Sequence, residues 1–287
     1  MNMLRSQKFH DAYITGNGQE LDRLWREETP ATLIKFYPAK YESNGVNYFL
    51  EHLENQTIWL SSPMMFNDPF DCVYNCDYEY EVTQIRAQVL DGFVGKEEAL
   101  RMLDSEFWGE KLKSVAADFE SNMHRIHKKY ERNKYIACFS EKENLYSKIM
   151  WAHYANSHSG VCAEYDYTSV NAICEFGCIP IKYTDVFERS LYATTTEEGT
   201  AEFLKLIYNK ATEWGYEKEW RVVKESYTDE CLGFNVAFNL PKNIYLGCKI
   251  SNKLKKDILE FCYGKDIGVF QMKIKAGSFF LDLEQCR

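Results

Sequence analysis

Two acids and one arginine stand at alternate positions late in the chain, in the segment "YEKEWR". On a β-strand, Glu217, Glu219 and Arg221 would share one face, because successive side chains point to opposite faces. A carboxylate in such a place could stabilise positive charge on a reacting sugar or transfer a proton. The plainer interpretation is a surface ladder of ion pairs, each of which contributes little to stability.

Five further side chains lie on a predicted strand, directly after one, or on the helix that is predicted to follow it. Lys35 and Tyr37 lie on the predicted strand "TLIKFY", which a proline ends. Ser140 follows the predicted strand "YIACF", and a Ser-x-x-Glu pattern predicts that its side chain caps the next helix. That helix carries Trp151 and Tyr154, whose rings could pack in the core or line a binding cleft.

A predicted turn follows the strand "TIWLSS", which ends at a proline. Asp68 precedes Pro69 and is therefore disfavoured in helical conformation, and Asn67 can hydrogen-bond to nearby backbone. We expect a rigid turn beside the cleft, with Asn67 and Asp68 supporting it.

Composition narrows the class of protein. The chain has 287 residues, 45% of them hydrophobic and 27% charged, which is enough for a large core. A net charge of −9 disfavours a broad surface for nucleic acid or anionic membrane. No apolar stretch approaches the ~20 residues that cross a bilayer, and we expect a cytoplasmic protein with reduced cysteines and no membrane partner. The spacing of the ten cysteines predicts no metal site.

The order of predicted elements favours one α+β domain over residues 1–287, because helices and strands mix throughout the chain. Residues 77–130 are charged and helical in pattern, and they predict a helical insertion. Asn44 is the predicted cap of a helix that follows it, residues 199–212 are a predicted helix, and the last forty-odd residues repeat strand, helix, strand.

Several motifs carry a family resemblance. "WLSSPMMFNDPFD", "YIACFSEKENLYSKIMWAHYANSHSGVCAEYD", "EWGYEKEWRVVK" and "IYLGCKI" occur in this order between residues 33 and 250. They resemble a large family of uncharacterised bacterial domains, domain of unknown function 2971. The resemblance supplies a grouping without a reaction.

This organisation is in turn similar to the ADP-ribosyltransferase fold. That similarity implies a mixed, mostly antiparallel sheet and NAD as the bound nucleotide. It assigns the late acid to Glu217 or Glu219, places Lys35 where relatives carry an imidazole, and makes Ser140 a positioning hydroxyl. Tyr154 or Trp151 would hold the nicotinamide ring. The implied activity is that of an NAD-consuming transferase or glycohydrolase of bacterial conflict, in antiphage defence or as a toxin.

Two alternatives stay open from the residues alone. A nuclease or glycosylase would use Asp68, Glu217 and Arg221 on a nucleic-acid target. A binding module without catalysis would use the aromatic cleft for a small-molecule nucleotide or a partner protein.

Overall fold

A computed structural model describes residues 2–72, 95–103, 133–175, 177–186, 207–226 and 232–286, and the single positions 86, 117 and 121. Most of the predicted insertion over residues 77–130 lies outside the described residues. Inside that range the structure shows the helix Lys96–Leu103.

The helix that the sequence predicts between the last strands is present, and two helices precede the first strand. The helices with bounds in the described residues are α1 (Asn2–Ile14), α2 (Gly18–Glu27), α3 (Tyr48–Asn55), α4 (Lys96–Leu103), α5 (Lys148–Tyr154), α6 (Tyr167–Ala172) and α7 (Asn252–Cys262). The prediction that Asn44 caps α3 is wrong. Asn47 is the cap, and its side-chain oxygen accepts hydrogen bonds from the amides of Phe49 and Leu50 because it directly precedes the first helical turn.

Twelve strands are described, and the strands that the sequence predicts are among them. They are β1 (Thr32–Tyr37), β2 (Thr57–Ser61), β3 (Lys134–Glu141), β4 (Val161–Asp166), β5 (Ile179–Pro180), β6 (Lys182–Tyr183), β7 (Asn209–Lys210), β8 (Glu219–Glu225), β9 (Gly233–Ala237), β10 (Asn243–Leu246), β11 (Gly268–Ile274) and β12 (Leu281–Gln285). Three short 3₁₀ segments, Pro63–Met65, Lys142–Tyr146 and Thr212–Glu217, connect them to helices or to each other.

Ten of these strands form one open sheet in the order β12-β11-β10-β4-β1-β3-β2-β9, with β8 pairing both β3 and β5. The pair β10–β11 is parallel, joined across α7, and the other pairs in this sheet are antiparallel. Strands β6 and β7 form a separate parallel pair. The predicted α+β class with a mixed, mostly antiparallel sheet is confirmed.

The predicted helix over 199–212 is wrong at its carboxyl end, and residues 199–206 lie outside the described residues. Asn209 and Lys210 form β7 instead, paired with β6. The amide of Lys182 donates to the carbonyl of Tyr208 at 2.8 Å, so the neighbouring segment satisfies backbone groups that a helix would satisfy internally. Tertiary pairing therefore overrides the local pattern.

Apolar side chains cover both faces of the sheet. Leu33 belongs to the larger core, whereas Ile34 and Phe36 belong to a smaller one. This alternation follows from the two-residue period of a strand. The smaller core also contains Met150 and Trp151, so it fixes α5 over this face of the sheet.

The sheet splits along one edge of β3. Strand β1 pairs with the end of β3, at Ile34 opposite Ser140, whereas β2 pairs with its beginning, at Ser61 opposite Ile136. In the described part of the chain, no strand pairs on this edge with residues 137–139. We call this gap the β1–β2 split. Open backbone at such a gap needs another hydrogen-bond partner, and it can admit a ligand.

Candidate functional site

A cleft of about 390 Å³ lies over the sheet beside the β1–β2 split. Five residues that the sequence singles out line it together: Lys35, Ser140, Tyr154, Glu217 and Glu219. They come from β1, the end of β3, α5, the end of the 3₁₀ segment Thr212–Glu217 and the start of β8. These distant segments therefore converge on one cleft.

Register explains the meeting of the hydroxyl and the acids. Ser140 lies directly opposite Glu219 in the β3–β8 pair, and Cys138 lies opposite Arg221. Because side chains alternate along both strands, these four residues share one face of the sheet. Helix α5 crosses that face and brings Tyr154 to the cleft.

Glu217 does not lie on the strand face that the sequence predicts. It is the last residue of the 3₁₀ segment Thr212–Glu217, and Lys218 then adopts a left-handed conformation with φ of 45° before β8 begins. The reversal directs the carboxylate toward α5, where the hydroxyl of Tyr154 donates a hydrogen bond to Oε1. Glu217 is 3% exposed, so its remaining opening is the cleft that it lines.

A buried network of ion pairs holds the Glu217 carboxylate in place. The ammonium of Lys210 donates to Glu217 Oε2 at 2.6 Å and to Glu219 Oε2 at 3.0 Å. The guanidinium of Arg221 forms a two-bonded pair with Asp71, at 2.9 and 2.6 Å, and its Nε donates to Glu219 Oε1 at 2.7 Å. Charge-assisted and bidentate bonds of this kind hold their partners in fixed geometry. The network therefore positions both acids rigidly.

The two acids titrate in opposite directions. Burial, with a contribution from the neighbouring Glu219 charge, raises the pKa of Glu217 to about 7 despite its bonds to Lys210 and Tyr154. Burial also opposes ionisation of Glu219, but Arg221 and Lys210 outweigh it and hold the pKa of Glu219 well below its usual range. Glu219 is therefore a permanent anion, whereas Glu217 changes charge near neutral pH.

Ser140 is not a helix cap, and the predicted capping box is wrong. Ser140 lies inside β3, the 3₁₀ segment Lys142–Tyr146 follows, and Ser147 caps α5 by accepting from the amide of Met150. Among the described residues, no side-chain partner binds the Ser140 hydroxyl. That hydroxyl is therefore free to bind a molecule in the cleft.

Lys35 occupies the β1–β2 split. Its ammonium donates to the carbonyl of Cys138 at 3.0 Å and lies 5.6 Å from the ring centre of Phe139. Burial lowers the pKa of Lys35, and the nearby Cys138 and Glu219 oppose that shift. One of its three donors satisfies the open backbone of β3, which leaves two for an anion.

Three predicted site residues lie outside the cleft wall. Trp151 has no exposed surface; its indole donates to the carbonyl of Leu145 at 2.7 Å, so it belongs to the core beneath the cleft and cannot serve as a platform. Arg221 is equally buried and acts through Glu219 and Asp71. Tyr37 pairs with the hydroxyl of Tyr165 at 3.1 Å and lines an adjoining cavity.

Sequence reasoning missed two members of the network, Lys210 and Asp71. The prediction of a long helix concealed Lys210, and no motif marks it. Asp71 follows the "NDPF" turn closely enough that the turn could have indicated it. Asn67 lines the cleft, whereas Asp68 accepts a bond from the amide of Phe70 at 2.9 Å and is a turn residue. Asp68 does not line the cleft with Glu217, so the nuclease alternative loses one of its three proposed residues.

The segment from α5 to β8 carries most of these side chains, and it is also the segment with a family match. Residues 150–222 match a family described as protein of unknown function (DUF2971). The predicted resemblance is confirmed there. The DUF2971 segment contains Tyr154, Lys210, Glu217 and Glu219. Searches of curated proteins and of solved structures each gave no match, so the resemblance to the ADP-ribosyltransferase fold stays a prediction.

The described residues contain neither a candidate membrane span nor a candidate metal site. None of their helices combines the length and the apolar character that a membrane span requires. No group of three or more His, Cys, Asp or Glu side chains in this part of the chain is arranged to hold a metal ion.

Proposed function

We propose that the protein cleaves the nicotinamide–ribose bond of NAD, as an ADP-ribosyltransferase or an NAD glycohydrolase. The observation that carries the proposal is the convergence of Glu217, Tyr154, Ser140 and Lys35 on one cleft. These are the groups that the reaction needs, and they come from four separate segments. Such a reaction, by depleting NAD or modifying a target, is also one that a protein of bacterial conflict would use.

Glu217 is suited to the developing charge of this reaction. Loss of nicotinamide leaves a sugar with oxocarbenium character, which a nearby carboxylate stabilises. Both Glu217 oxygens already accept one bond, from Tyr154 and from Lys210, and each keeps a lone pair for a ribose hydroxyl. The ionised form is the active one, so activity should follow the titration of this group.

The rest of the cleft supplies binding. Phe36, Phe66 and Tyr154 give it aromatic walls for the nicotinamide ring, and the Ser140 hydroxyl offers a hydrogen bond. A cleft of about 390 Å³ is at the lower end of the roughly 300–1,000 Å³ usual for small-molecule sites. It suits one nucleotide half of NAD, and the other half would extend through the β1–β2 split.

We expect purified protein to release nicotinamide from NAD, at a rate that rises about tenfold per pH unit below pH 7 and levels off above it. The sign follows from Glu217, whose pKa of about 7 leaves it neutral and inactive at lower pH. Chromatography of the reaction mixture between about pH 5 and pH 9 measures the rate of nicotinamide release and the pH at which that rate is half of its maximum.

Two controls are necessary: a chelator that removes divalent metal ions, and a source of molecules that could accept ADP-ribose. Release should persist in EDTA, whereas a metal-dependent nuclease would lose its activity there. A parallel reaction with labelled NAD and bacterial lysate detects transfer to a target. Absence of nicotinamide release in both reactions at every pH would reject the proposal and favour a binding module.

A further inference from the structure

A second cavity, of about 700 Å³, adjoins the cleft along the β1–β2 split. The two spaces share Lys35, Phe36, Phe66 and Cys138 in their walls. We call the larger one the β2 cavity because Trp59 and Ser61 of that strand line it. A ligand that fills the cleft and continues past Lys35 would enter this space.

Trp59 is fixed in the wall of the β2 cavity. Its indole N–H donates to the Ser61 hydroxyl at 3.0 Å, and 40% of its surface stays exposed. Gly233 pairs with Ser61 across the sheet, and a Cβ at that glycine would lie 2.4 Å from the indole ring. The missing side chain therefore lets the ring lie across the neighbouring strand. A rigid, exposed indole in a cavity wall is a surface on which a planar heterocycle can stack.

A free amide lies beside this ring. Asn235 is directly opposite Trp59 in the β2–β9 pair, and both line the β2 cavity. Among the described residues, the side-chain amide of Asn235 has no hydrogen-bond partner. A side-chain amide offers a donor and an acceptor together, which match the edge of adenine.

Lys35 stands where the two spaces meet. Its ammonium has donors to spare beyond the bond to Cys138, and an ammonium is a common partner of phosphate. Along the split, the carboxylate of Glu217 and the hydroxyl of Ser140 lie in the cleft, and the ammonium of Lys35 lies at the junction. The ring of Trp59 and the amide of Asn235 follow in the β2 cavity. That order matches a nucleoside, a diphosphate and a second nucleoside.

Resting on the proposed function, we infer that the β2 cavity binds the adenosine half of the dinucleotide, with Trp59 as stacking surface, Asn235 at the adenine edge and Lys35 at the diphosphate. AMP and nicotinamide mononucleotide are the separate probes for the two halves. Calorimetry should detect both on the wild-type protein. Trp59→Leu should weaken AMP binding about tenfold or more, because stacking is lost, and should leave mononucleotide binding unchanged.

Two variants test whether the loss of AMP binding comes from the missing aromatic ring at position 59. They exclude unfolding and the removal of any exposed ring as its cause. Trp59→Phe keeps an aromatic face and should retain most AMP affinity, whereas Tyr263→Leu removes an exposed ring outside both spaces and should change neither affinity. Thermal melts check that each variant is folded.

The outcomes separate this inference from the proposed function. Absence of AMP binding, or equal AMP affinity in the wild type and Trp59→Leu, overturns the inference even if NAD is cleaved. Trp59-dependent AMP binding supports an adenosine site even if no nicotinamide is released, in which case the proposed cleavage reaction alone is rejected.

Discussion

Glu217→Gln is expected to lower the rate of nicotinamide release from NAD by about 100- to 1,000-fold. The amide keeps the size of the carboxylate, but it carries no charge with which to stabilise the sugar in the transition state. It also replaces one acceptor by a donor, so the amide keeps the Lys210 bond through its oxygen only if its N–H turns toward the Tyr154 hydroxyl, which must then accept instead of donate. Initial rates near pH 8, where Glu217 is ionised in the wild type, measure the effect.

Stability should change much less than activity in this variant. Lys210 keeps its bond to Glu219, and we expect a loss of roughly 1 kcal/mol for the altered bond. Glu213→Gln is the matched control, since Glu213 is exposed on the same 3₁₀ segment and should leave the rate unchanged. A wild-type rate in Glu217→Gln would remove Glu217 from the reaction.

Arg221→Met is expected to destabilise the folded protein by about 3–5 kcal/mol. Arg221 has no exposed surface and forms ion pairs with Asp71 and Glu219. Its removal leaves two buried carboxylates with Lys210 as their main remaining cation, and uncompensated buried charge is costly. Chemical denaturation at neutral pH measures the change in the free energy of unfolding.

The control for this variant lies on the same strand. Lys224→Met removes a half-buried ammonium that pairs with Glu175 at 3.3 Å, and such pairs contribute about 1 kcal/mol or less. If both variants lost equally little stability, the buried network would not hold the site together. A large loss confined to Arg221→Met supports its role as a positioning residue for Glu219 and, through Lys210, for Glu217.

Much of the fold follows from local pattern. Strand β1 is predicted in full because its apolar and aromatic residues end at a proline, and α7 follows from apolar spacing between two strands. The assignment of Lys35, Ser140 and Glu217 to one NAD site came from the resemblance of whole motifs, because periodicity alone does not relate these three residues. Their observed meeting depends on strand order, which no single segment of the sequence encodes.

The errors have a common physical origin in short elements. Two serines, Ser140 and Ser147, precede apolar runs, and only the intervening 3₁₀ segment determines that the second is the cap. Lys210 lies on a two-residue strand whose partner is another two-residue strand, a pairing set by packing. Glu217 leaves the strand face because Lys218 reverses the backbone. Such local reversals position the site, and they carry weak sequence signals.

A crystal structure of the wild-type protein with a non-cleavable carba analogue of NAD tests the assignment of the cleft most directly. We predict density for the carbocycle that replaces the nicotinamide ribose, with its hydroxyls within hydrogen-bond reach of Glu217 and Ser140 and with the diphosphate beside Lys35. An empty cleft at saturating analogue, or an analogue bound elsewhere on the molecule, would contradict the assignment of this site to NAD.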